Sequence, residues 1–254
     1  MRSLALSPAR SVLLLVLAAC LGGCASTAER TPGDPLEPMN RGIYAFNDGL
    51  DRAILKPTAK AYVKVTPDWM QTGIQNFFNN LFYPTTIVNQ LLQGKIKLAG
   101  QDTLRMVLNT IWGLGGVIDV ATPNNLPLHD EDFGQTLGWW GVPTGPYLVI
   151  PLLGPANVRD TPSRVADSFL QPFYWYDSGN ERWFSLILQT VDRRARLLPL
   201  DATLEGVYDP YSFVREAFTQ RRQFKVYDGN PPEEALDEFE DLEFEDSEAD
   251  TPGS

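Results

Sequence analysis

Apolar residues recur along this chain at a helical period more often than at an alternating one. From Pro38 to Leu55 the apolar set Ile43, Phe46, Leu50 and Ile54 falls at steps of three or four, and Pro57 is expected to close that helix, with a second following to Val65. Asp68 is placed to cap the next helix, in which Met70, Ile74, Phe77, Phe78, Leu81 and Phe82 form the clearest amphipathic stripe of the chain. Pro84 is expected to open another helix, with Ile87, Val88, Leu91 and Leu92 on one side and a stop near Gly94. Lys95 to Trp112 continues with Leu104, Leu108, Ile111 and Trp112. Asp160 to Leu170, Asn180 to Leu198 and Pro210 to Phe224 complete the set, the middle one carrying Trp183, Phe184, Ile187 and Val191 along one side.

Two stretches break the period. Gly113, Gly115 and Gly116 suit a turn with close backbone approach; no Lys-Ser or Lys-Thr pair follows, so they are not a phosphate loop. Gly138 to Asn157 is apolar, aromatic and rich in Pro and Gly, which excludes one straight helix. Trp139, Trp140 and Tyr147 have the amphipathic rings favoured at bilayer interfaces, and Leu148 to Leu153 suits a bare aqueous surface poorly. A hairpin that dips into a membrane or lines a pore fits, and so does a hydrophobic hairpin folded beneath the helices.

The first residues change the setting. Arg2 and Arg10 precede the apolar run Val12 to Leu21, at about 10 residues too short to cross a bilayer, where roughly 20 are needed. Leu21-Gly22-Gly23-Cys24 matches the bacterial lipoprotein pattern, so residues 1–23 read as a cleaved signal peptide and Cys24 as the lipid attachment site. Leu17-Ala18-Ala19-Cys20 fits the same pattern, with a shorter apolar run and a leftover thiol at Cys24. Several acyl chains, at about 0.8 kcal/mol per buried methylene, give stable anchoring. Ala25 after the cysteine points, by the sorting rule of such lipoproteins, to the outer membrane. Residues 24–33 then form a lipidated linker and 34–228 one helical, membrane-embedded body, of a length that can bury one sizeable core.

Charge divides the chain again. Glu233 to Asp250 holds eleven of the 32 acidic residues and no Lys or Arg, a charge equal to the net −11 of all 254 residues. Residues 229–254 therefore read as an acidic, disordered tail. Leu236, Phe239 and Leu242 would let it form a short amphipathic helix on a basic partner, solubility being the simpler role. The body is nearly balanced, which disfavours nucleic acid as a partner. Arg193, Arg194 and Arg196 suit the C-terminal end of their helix through its dipole and through salt bridges; a lipid phosphate is the other fit.

Standard hydrolase machinery is missing from the sequence. His129 is the one histidine, and no Gly-x-Ser-x-Gly, His-Glu-x-x-His or Walker pattern occurs. His129 with Asp130, Glu131 and Asp132 could attract a cation, without EF-hand spacing. Neither catalytic nor metal residues are assigned, and no cofactor is expected. With cysteines only at 20 and 24, the body has no thiol chemistry or disulfide, so packing must stabilise it.

Six segments together, in one order behind the lipobox, are similar to the MlaA (VacJ) family of outer-membrane lipoproteins. They are Asp34-Pro-Leu-Glu-Pro-Met-Asn-Arg, Tyr44-Ala-Phe-Asn, Leu108-Asn-Thr-Ile-Trp-Gly-Leu-Gly-Gly-Val-Ile-Asp, Phe133-Gly-Gln-Thr-Leu-Gly-Trp-Trp-Gly-Val, Gly145-Pro-Tyr and Asp209-Pro-Tyr. The resemblance implies a mainly α fold without a β-barrel: a ring of amphipathic helices, with a Gly/Pro-rich hairpin, in the inner leaflet of the outer membrane. It implies removal of mislocalised phospholipid from the outer leaflet through an amphipathic channel to a periplasmic phospholipid carrier of the Mla pathway, with trimeric porin as the membrane partner. It places Phe46 and Asn47 on the ring's early helix and Gly141 to Asn157 on its channel side. Channel or lipid-contact candidates are then Phe46, Asn47, Trp139, Trp140, Tyr147, Leu148, Ile150 and Leu152. Two rivals remain: a scaffold that braces porins or the envelope without moving lipid, and a phospholipid hydrolase with unconventional acid or base residues.

Overall fold

The structure is a computed structural model that describes residues 34–175 and 179–232. The leader with Cys20 and Cys24, the linker to Gly33 and the tail from Glu233 onward lie outside the described residues.

Helix α1 (Glu37–Leu50) runs through one π-helical turn (Asp51–Leu55) straight into α2 (Lys56–Val65). Pro57 thus does not close the first helix. Its ring would press on the carbonyl four residues back in a regular helix, and the wider turn lies where that conflict falls. Helix α3 (Asp68–Leu92) is continuous over 25 residues with Pro84 inside it, so Pro84 does not start a new helix. Buried Phe78 and Tyr83 before the proline, and Thr85, Thr86, Asn89 and Gln90 after it, fix both halves; their packing outweighs a cost of about 3 kcal/mol. Pro67 occupies the N-cap position and Asp68 the first turn, where its carboxylate favours the helix dipole rather than making a cap bond.

After Gly94, at φ +75°, come α4 (Ile96–Ile111), a glycine-rich loop, and the short α5 (Phe133–Trp139), capped by the Asp132 carboxylate on the Gln135 N–H. The hairpin contains the only strands among the described residues, β1 (Tyr147–Ile150) and β2 (Gly154–Asn157), antiparallel with Tyr147 opposite Asn157 and Ile150 opposite Gly154. Helices α6 (Asp160–Ser168), α7 (Pro172–Trp175), α8 (Gly179–Leu197), α9 (Asp201–Glu205) and α10 (Pro210–Val226) follow, the last capped by Asp209. The fold is mainly helical, with no barrel among the described residues.

Packing closes into a circuit. Helix α1 lies on β1, α2 on α8, α8 on α3, α3 on α5, α5 on α6 and α6 on β2. Helix α4 packs along α3, and α10 joins α5 to β2. No helix among the described residues is long and apolar enough to cross a membrane.

The interior is polar. Among the largest fully buried side chains are Gln90, Gln135, Asn40, Asn89, Asn157, Asp34, Asp102 and Asp192, with Val149 the one aliphatic in that set. Large apolar side chains stand outside, including Trp69, Ile96, Ile111, Trp112, Trp175, Trp183, Phe184 and Ile187. Helix α4 shows the inversion clearly: Asp102, Arg105 and Asn109 are buried while Leu104, Val107 and Ile111 face out. A water-soluble helix places its apolar stripe inward.

Candidate functional site

Each buried polar group must find a partner or cost about 1–3 kcal/mol, and most of the interior resolves into networks that meet this demand, although Thr85 Oγ1, Gln90 Oε1 and Asp102 Oδ2 have no hydrogen-bond partner among the described residues. The first fastens the hairpin. Asn40 donates to the Tyr147 carbonyl (3.1 Å) and accepts from the Val149 N–H (2.9 Å), and also donates to Asp34. Asp34 in turn accepts from the Tyr211 hydroxyl. Asn47 repeats the pattern, donating to the Ile150 carbonyl (3.0 Å) and accepting from the Leu152 N–H (2.8 Å). Tyr147, Val149 and Tyr211 form a small core with Ile43, Tyr44 and Phe218 against it.

The second network joins α3, α5 and α6. Asn89 donates to Asp167 and accepts from Thr136; Gln93 donates to Glu131 and Thr136; Lys95 pairs with Glu131 at 3.2 Å. Burial pushes the Asp167 carboxyl up to about 6, against the opposing effect of the Phe133 N–H. Burial likewise raises Glu131. Arg222 binds Asp132 through both terminal nitrogens and Asp160 through Nε, while Arg159 also pairs with Asp160 at 2.8 Å. Burial alone would raise Asp132, yet Arg222 holds it at about 2. Glycine is required where α5 crosses this network: a Cβ on Gly134 would lie 2.4 Å from Arg222 Nη2 and from Asp160 Oδ1. One on Gly138 would lie 2.7 Å from Arg159 Nη1.

The third network lies between α3 and α4. Tyr83 donates to Asp102 at 2.8 Å, His129 Nδ1 is 2.7 Å from the same oxygen, and Arg105 pairs with Asp119. A polar cleft of about 110 Å³ opens here, lined by Asn76, Asn79, Asn80, Tyr83, Arg105 and Asn109. Asn109 accepts from the N–H groups of Val120 and Ala121, and the loop packs so tightly that a Cβ on Gly116 would meet that of Asn80 at 2.4 Å. The acids beside His129 diverge, Asp130 to Lys225, Glu131 to Lys95 and Asp132 to Arg222. Among the described residues no cluster of three or more potential metal ligands forms. A second, smaller cleft lies between α3, α6, α7 and α8, lined by Phe82, Tyr174 and Leu186 together with Ser168, Gln171, Ser185 and Gln189.

The sequence-derived candidates fall into two groups. Asn47 is bonded to Ile150 and Leu152 at the hairpin, and Phe46 is exposed beside it on α1. Leu148 and Ile150 are half-buried, Leu152 is exposed at the turn, and the Tyr147 ring is turned into the aromatic core against Tyr211 and Phe218. Trp139 and Trp140 form the other group at the end of α5, half-exposed. Lys95 lies 4.9 Å from the Trp139 ring, and the Trp140 Nε1–H donates to the Leu92 carbonyl. Arg194 joins Asp51 to Asp201 and Arg196 pairs with Asp192, so those two serve as salt bridges. Sequence reading passed over Asn40, Asn89, Asp102, Gln135, Asp160 and Arg222, which build the interior. Asn40 and Gln135 lay within the segments that carry the family resemblance, and the signal for the others was polar residues opposite an apolar stripe.

Polar networks inside and an apolar skin outside define a mainly helical protein whose exterior suits lipid or a partner better than bare water. The model of the MlaA lipoprotein family matches residues 32–225, and the chain belongs to that family. It is 38% identical to the intermembrane phospholipid transport system lipoprotein MlaA of Escherichia coli strain K12, over 89% of this chain and 94% of the relative. The protein of the same description from Haemophilus influenzae is 34% identical over 87% and 92%. A solved structure, described as the structural basis for maintenance of bacterial outer membrane lipid asymmetry, matches with TM-score 0.69 and 37% identity, covering 76% of this chain and 98% of that one.

Proposed function

We propose that this chain is the outer-membrane lipoprotein of an intermembrane phospholipid transport system. It removes mislocalised phospholipid from the outer leaflet and passes it to a periplasmic carrier, maintaining lipid asymmetry. The observation that carries this reading is the inverted burial of the helices, in a circuit of packed elements, within a family whose relatives are phospholipid transport lipoproteins. A polar interior lowers the cost of moving a charged headgroup, and an apolar exterior remains in lipid. Transport of this kind forms no covalent intermediate, and the residues act by binding and positioning. Cys24 carries the anchor, the exterior sits in the inner leaflet with Trp139 and Trp140 at its interface, and a trimeric porin supplies the membrane partner. Phe46 and Leu152 flank the route at the hairpin.

Lipid exchange between outer-membrane-like vesicles carrying the acylated protein and the purified carrier, with porin present, tests the proposal. Transfer of intact phospholipid is expected. Anchoring without transfer would make the chain a scaffold, and release of fatty acid or lysolipid would make it a hydrolase.

A further inference from the structure

Helix α3 carries four amide side chains in two pairs one turn apart, Gln75-Asn76 and Asn79-Asn80, and all four line the polar cleft of about 110 Å³ against α4. Two of them hold the fold. Asn76 donates to the Val117 carbonyl (3.2 Å) and Asn80 to the Thr110 hydroxyl (2.9 Å), which ties α3 to the glycine-rich loop and to the end of α4. Gln75 and Asn79 do not. Half-buried and four apart on one side of the helix, they make no side-chain hydrogen bond to any described residue. Asparagine is a weak helix former because its side chain competes for the backbone, so Asn79 in mid-helix gains nothing from within the chain.

The charged members of the wall are already engaged. Arg105 is committed to Asp119 at 2.7 Å, to the Thr122 hydroxyl and to the Leu126 carbonyl. The Asp119 carboxylate also accepts from Asn109 and from the N–H groups of Ala121 and Thr122. The cleft therefore offers a ligand neutral amides and no unpaired charge. An amide both gives and accepts hydrogen bonds, and so does its best complement, a hydroxyl; an ammonium only donates and a phosphodiester only accepts. The rim is apolar, since Leu128 on the wall and Val117 beside Asn76 are both exposed. With such a rim in lipid, the free amides lose water and need another partner.

We propose that this cleft binds the glycerol headgroup of phosphatidylglycerol, its vicinal hydroxyls bonded to Gln75 and Asn79 and to the free carbonyl oxygens of Asn76 and Asn80. The wall keeps no cation for the phosphodiester, so selection falls on the hydroxyls. The site deepens the transport reading and rests on it for the placing of the rim in lipid.

Full-length acylated protein in detergent is titrated calorimetrically with dihexanoylphosphatidylglycerol, dihexanoylphosphatidylethanolamine, dihexanoylphosphatidate and free glycerol. Wild type is expected to bind the first about tenfold more tightly than the other two lipids, the worth of one or two hydrogen bonds. Gln75→Ala with Asn79→Ala, each a better helix former than the residue it replaces, is expected to melt no lower than wild type and to lose that preference. Equal binding of the three lipids by wild type, or a preference that survives in the double variant, overturns the site. Free glycerol binding as tightly as the lipid would make the cleft a site for soluble polyols and overturn the headgroup assignment. Transfer of intact phospholipid by wild type is measured in parallel, in phosphatidylethanolamine–phosphatidylglycerol vesicles. Its failure beside an intact preference overturns the transport reading and leaves the cleft a headgroup site.

Discussion

Asn40 and Asn47 stand two helical turns apart on one face of α1, and each closes a two-bond ring with the hairpin backbone. Seven helical residues rise about 10.5 Å. The three residues from Tyr147 to Ile150 rise about 10 Å. That match of pitch to strand lets one helix stand in for a third strand along the free edge of β1.

Replacing Asn40 by alanine leaves the Tyr147 carbonyl and Val149 N–H buried without partners. A loss of about 2–4 kcal/mol is expected in denaturant unfolding. Asn47→Ala, nearer solvent, is expected to cost about 1 kcal/mol. Amide exchange at Val149 and Leu152 should rise in the respective variants; protection unchanged in both would show that the asparagines do not hold the hairpin.

Helix positions were legible in the sequence because a 3.6-residue period survives whichever way the apolar face points. The two prolines were misread because their local cost is a few kcal/mol, which the wider turn before Pro57 relieves and the packing around Tyr83 outweighs. Which side faces inward could not be read from periodicity, since an apolar stripe against lipid and one against a core look alike. Burial of Asn89, Gln90 and Asp102 depends on partners far along the chain, such as Asp167 for Asn89 and His129 for Asp102. No local pattern announces those pairings.

Gly134→Ala puts a methyl group into the Asp132–Arg222–Asp160 network, where backbone and ion pairs must give way together. A loss of about 3 kcal/mol or more is expected, the cost of breaking a buried charge pair. Gly42→Ala, on α1 with nothing within 4 Å of the added carbon, is the control. It should gain about 0.5–1 kcal/mol from helix propensity. Equal stability of the two variants in the same detergent would refute the close-approach role of Gly134.

Asp167 gives the fold a pH dependence of defined sign. Its carboxyl is raised by burial from 3.8 to about 6, so between those values the folded protein binds more protons than the unfolded chain. Its contribution to stability is therefore greatest below the lower value, falls as pH rises through the window, and is level above it. Asp132, held at about 2 by Arg222, acts oppositely and loses its contribution only as pH drops through the acid range. Stability measured from pH 4 to 7 in wild type and Asp167→Asn should diverge in slope across the window. Parallel curves would remove Asp167 as the cause.

Leu114 and Leu152 occupy left-handed backbone at φ +54° and +66°, where a leucine costs roughly 1–2 kcal/mol, and both side chains are about 70% exposed. Neither the backbone nor the interior explains a leucine there, because asparagine would suit the turn better and nothing packs over the side chain. An outward apolar contact would explain it. Asn substitution at either position should raise the stability of the purified protein in detergent by about 0.5–1 kcal/mol, through relief of backbone strain. The same change should weaken vesicle insertion or lipid transfer. Stabilisation with full transfer would mean that the leucines are strained without serving the membrane face.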